Sequence, residues 1–87
     1  MDTEDHLARD DAYAERLRQA LEGTRIEYDF LDVAIEGSVA VVFFVWTSES
    51  FQSGVRHREQ KHFVLRDPVT NFPSAMLTAQ LALLAGY

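Results

Sequence analysis

Eighty-seven residues, 47% apolar and 11% aromatic, supply enough hydrophobic material for one globular core, which excludes both a disordered chain and a second domain. The absence of cysteine removes disulfides, thiolate metal sites and cysteine nucleophiles, and the net charge of −6 repels nucleic acid and anionic membranes at long range. A chain of this size buries only about 60 to 65% of its unfolded surface, so a second copy or a partner would add to a narrow stability margin.

The chain opens on MDTEDHLARDD, acidic where an export signal is basic and then apolar, so a cytoplasmic location is expected. A first helix ends near Glu22, with Leu7, Ala14, Leu17 and Leu21 on one face and Asp11, Glu15, Arg18 and Glu22 on the other. Thr3 or Asp10 is placed to cap its start and Gly23 to end it.

From Arg25 the apolar period becomes two. Ile26, Tyr28 and Phe30 alternate with acids, then Leu31, Val33 and Ile35 continue in the opposite phase, which predicts a bulge near Phe30 and Leu31 or a strand whose far end is covered on its other face. Glu36, Gly37 and Ser38 predict a tight hairpin. The run Val39 to Trp46 has no polar residue, as expected of a central strand buried on both faces. Thr47 to Gln60 reads as a long polar connection, and Lys61 to Arg66 as a third strand stopped by Asp67 and Pro68. A last helix is expected from about Pro73 to Ala85, with the proline in its first turn.

These elements predict one α+β domain over residues 1 to 87: a small antiparallel three-stranded sheet flanked by two helices, in the order α-β-β-β-α. Two helices cover one face of three strands and leave the second apolar face of the central strand unexplained. The last helix poses the same problem, because apolar side chains encircle it and a helix apolar all round is normally buried all round. Met76, Leu77, Leu81 and Leu84 are therefore candidates for a homodimer interface. The helical tail of about 15 residues would span about 22 Å, short of the roughly 30 Å of a bilayer core, so no membrane span is expected.

Chemistry is thinly represented. His57, Glu59 and His62 match no metal-ligand spacing and stand among bases, so no metal is expected. Ser48, Ser50 and Ser53 lie in no nucleophile elbow, the four glycines are isolated, and acid pairs such as Glu27 and Asp29 fall on exposed faces. The chain thus reads as a non-enzyme without a cofactor.

Charge is unevenly spread. Residues 1 to 37 hold eleven acids and four bases, whereas residues 38 to 87 hold three acids and four bases. Those four, Arg56, Arg58, Lys61 and Arg66, form a cluster that supports an alternative reading as a nucleic-acid-binding module, with Phe51 and Phe63 beside it for base stacking. The α-β-β-β-α order is similar to that of double-stranded RNA-binding domains. Their phosphate contacts come from a lysine-rich start of the last helix, where this chain has NFPSAML and no base, so those residues do not carry over.

The favoured expectation is a small acidic protein-interaction module, homodimeric or bound to a protein partner, that acts as an inhibitor or adaptor on a basic surface. Phage-encoded inhibitors and toxin-immunity proteins offer the analogy. Asp10, Asp11, Glu15 and Glu22 would supply charge complementarity, and Trp46, Phe51 and Tyr87 apolar anchors.

Overall fold

Asp10 starts the first helix. Its backbone is extended and its carboxylate accepts from the Ala12 and Tyr13 amides at 3.0 and 3.1 Å, satisfying two donors that have no partner inside a helix. The computed structural model describes residues 8–85, so Thr3, His6, Leu7 and Tyr87 lie outside the described residues. Helix α1 spans Asp11–Leu21 and buries Ala14, Leu17 and Leu21. Just beyond it, Gly23 takes φ 79°, the left-handed conformation that lets the chain leave the helix.

Strands β1 (Phe30–Glu36), β2 (Val39–Gln52) and β3 (Val55–Pro68) form one antiparallel sheet in chain order, and α2 (Ala75–Leu84) closes the α-β-β-β-α arrangement. The fold is α+β, with two helices on an open three-stranded sheet. The β1–β2 ladder runs unbroken from Phe30–Val45 to Glu36–Val39, so there is no bulge at Phe30. The apparent phase slip has another cause: Ile26 and Tyr28 belong to a loop whose side chains tuck against the core, and the strand proper starts at Phe30.

The register separates the side chains into two faces. On one, Leu31 and Val33 of β1 and Ala40, Val42 and Phe44 of β2 join Ala14, Leu17 and Leu21 of α1, Phe72, and Leu77 and Leu81 of α2 in a single buried cluster. Both helices therefore lie on that face. The molecule is 18 Å thick along its shortest axis, room for one helix layer on one sheet.

The largest departure from expectation lies between Thr47 and Gln60. This stretch is a continuation of β2 and β3, paired rung by rung from Thr47–Gln60 to Gln52–Val55 and closed by Ser53 and Gly54 at φ 54° and 76°. Positive φ at both turn residues matches the twist of a two-residue hairpin. β3 likewise extends through Asp67 and Pro68, which do not stop it. Replacing Gly54 with alanine forces a Cβ into the left-handed region at a cost of about 1 to 2 kcal/mol. We expect faster amide exchange across residues 48–59 in that variant, with little change in the core strands.

Entry to α2 also differs from expectation. Ser74, not Pro73, caps the helix, accepting from the Leu77 amide at 3.1 Å. Pro73 precedes the cap, after a cis Phe72–Pro73 bond. Asp67, at the end of β3 and only 6% exposed, accepts from the Ser74 amide at 2.9 Å and its hydroxyl at 2.6 Å. A buried carboxylate thereby ties the sheet to the first turn of α2 and is itself satisfied.

Candidate functional site

The face of the sheet turned away from the core cluster carries neither described helix. It carries Phe30 and Asp32 from β1, Val41, Phe43 and Val45 from β2, and His62, Val64 and Arg66 from β3. Ala34 and Val41 are fully buried on this side, but Phe30 remains 51% and Val64 44% exposed. The expectation that Val39 to Trp46 is buried on both faces thus holds at Val41 and fails at Phe43 and Val45, which are half-buried.

Arg9 borders this strip. Its backbone pairs with Ala34 beside the edge of β1, and the Asp10 amide donates to the Val33 carbonyl at 2.8 Å. That pairing aims the Arg9 guanidinium onto the open face, 4.0 Å from the centre of the Phe43 ring and 3.2 Å from the Asp32 carboxylate. With Phe30, Phe43, Val45, His62 and Val64 it lines a shallow cavity of about 470 Å³. Nothing in the sequence marks Arg9 for this place, since its aromatic partner lies 34 residues away.

The open face continues along the β2–β3 arm. Every residue from Glu49 to Gln60 is exposed, so neither side of the arm is covered by its own chain. On the open-face side Glu49 pairs with Arg58 at 3.0 Å, and Arg56 lies over Phe51 with its guanidinium 5.6 Å from the ring centre. Phe51 is 69% exposed. At the base of the arm, Thr47 and Gln60 donate to Asp29, which fastens the loop before β1 to the hairpin and borders a polar cleft with Glu27, Glu49 and Arg58.

Several expected groupings come apart in three dimensions. Arg56, Arg58 and Arg66 share the open face, but Lys61 pairs with Trp46 on the helix side, so the basic cluster is split by strand alternation. Trp46 and Phe51 stand on opposite faces. Trp46 stacks on Phe63, centroids 6.3 Å apart, and packs against the core, where its buried Nε1–H meets no acceptor among the described residues.

The last helix is not buried all round. Leu77 and Leu81 are fully within the core and unavailable to a partner, Leu84 is half-buried, and Met76 and Leu83 are exposed at 73 and 74%. The reason is that a helix lying on one face of a sheet buries one stripe only, whatever its composition. Of the acids, Asp10 is committed to capping and Glu15 lies 3.4 Å from Arg18, while Asp11 and Glu22 are exposed.

His57 and Glu59 fall on the helix side of β3 and His62 on the open side, and no group of three metal-ligating side chains occurs among the described residues. Ser48 and Ser50 are strand residues and Ser53 is a turn residue, which corrects their placement in a loop. No helix among the described residues is long and apolar enough to cross a membrane. The arrangement holds an apolar strip, charge pairs and an aromatic–guanidinium pair on one continuous face. Comparison with protein families, with curated proteins and with solved structures finds no match for this chain.

Proposed function

We propose that this chain is a cytoplasmic, homodimeric protein-interaction module. The observation that carries the reading is uneven cover, with both helices on one face of the sheet. The helices shelter one face of the sheet, while Phe30, Val64 and Phe51 stand exposed along the other. Removing such side chains from water contributes about 25 cal/mol per Å², and contiguous exposed apolar strips mark interaction surfaces. The arm supports the same reading, because an isolated two-stranded hairpin is at best marginally stable in water and gains from a surface to lie on.

The helix layer then faces outward from the dimer. Its exposed acids, Asp11, Glu15 and Glu22, suit a basic surface on another protein, as an inhibitor or adaptor would use them. Self-association is tested by sedimentation equilibrium of the full chain from low micromolar to millimolar concentration. The expected species is two copies of the 9.9 kDa chain, and a single 9.9 kDa species across that range contradicts the proposal.

A further inference from the structure

We infer that the second copy sits face to face on the open sheet, with the two β2–β3 arms clasped in parallel so that β2 of each copy lies over β3 of the other. The inference rests on the homodimer reading and specifies its geometry.

Charge distribution points to this face. The chain carries −6 overall, which opposes self-association through most surfaces. On the open face, however, the acids Asp29, Asp32, Glu36 and Glu49 are matched in number by the bases Arg9, Arg56, Arg58 and Arg66. Two copies meeting here bring together balanced surfaces.

The register supplies the direction. Antiparallel pairing sets Phe43 beside Val64, Val45 beside His62, Thr47 beside Gln60, Glu49 beside Arg58 and Phe51 beside Arg56. A twofold axis running along the strands between β2 and β3 exchanges the two members of each row. Glu49 then meets Arg58, Phe51 meets Arg56 and Phe43 meets Val64, while Val45 meets His62 and Val41 meets Arg66, with no pair of like charges opposed, in a self-complementary interface of two identical patches. A twofold axis across the strands would instead lay β2 over β2 and β3 over β3, so that Glu49 meets no base and Arg56, Arg58 and Arg66 meet no acid. In the parallel clasp each arm covers the other, with the sheets about 10 Å apart and near-aligned.

The experiment measures the dimer dissociation constant of the full chain and of variants at exposed positions, with far-UV circular dichroism to check that each folds. Glu49→Arg and Arg58→Glu should each weaken the dimer roughly tenfold, and the double variant should recover wild-type affinity. A pair acting only within one chain would not move this constant. Val64→Lys, at the middle of the strip, should weaken it by about 30-fold or more. A wild-type dimer whose constant is unmoved by all of these variants overturns the face-to-face clasp and leaves self-association standing. A monomeric wild type overturns both.

Discussion

Phe44→Ala is expected to lower the free energy of unfolding by about 3 to 5 kcal/mol, the range for truncating a fully buried aromatic. Phe44 lies in the central strand opposite Leu31 on one side and Phe63 on the other, and has no exposed surface. The Tyr28 ring leans on it at 5.8 Å between centroids. Alanine removes the ring from the centre of the only layer of side chains between sheet and helices, and neither the ladder on both sides nor the helices can collapse into the space. A chain of this length has roughly 4 to 13 kcal/mol to lose, so the variant is expected at or near the edge of folding. Urea unfolding at one fixed chain concentration checks this, since the proposed dimer would make stability depend on concentration. A loss below about 1 kcal/mol would place the centre of the core elsewhere.

Asp67→Ala is expected to cost about 2 to 3 kcal/mol. The carboxylate accepts two hydrogen bonds from Ser74, and hydrogen bonds to charged groups contribute about 1.5 to 3 kcal/mol, with a further penalty for donors left buried and unpaired. The loss also loosens the Ser74 cap, since the hydroxyl that accepts from Leu77 is held by Asp67. Asp67→Asn keeps an acceptor for the Ser74 amide and should lose about half as much in the same urea measurement. Equal losses for the two variants would mean that charge, rather than the count of acceptors, holds the cap.

Much of the fold is legible where local chemistry determines local structure. Asp10 before an amphipathic run, Gly23 after it and Gly37 between two β-rich segments each mark an element end in the sequence, because capping and positive φ are decided by neighbouring residues. The arm is not legible in the same way. Residues 49–60 are solvated on both faces, so no hydrophobic alternation arises, and their composition is that of a loop. They are a hairpin because each residue pairs with one across the strand, a property of register rather than of any single segment. The one local cue is Ser53-Gly54, whose backbone takes positive φ at both positions.

The candidate surface is half legible. An apolar second face on Val39 to Trp46 is visible in the sequence, but its breadth depends on Val64 arriving beside Phe43 and on Arg9 crossing to the same ring. Clusters read in one dimension mislead for the same reason. Lys61 is near Arg58 along the chain and on the other side of the sheet in space, and Leu77 and Leu81 differ from Met76 and Leu83 only in the direction each faces.

The central claim is that the β2–β3 part of the open sheet face of one copy is covered by the same part of another. A mixed sample of isotope-labelled and unlabelled chains, examined by isotope-filtered nuclear Overhauser spectroscopy, tests it directly. The account predicts contacts between copies from the Phe43 and Phe51 rings to Val64 and Arg56, respectively. Contacts between copies confined to Met76 and Leu83 of α2, or none at all at millimolar concentration, would contradict it.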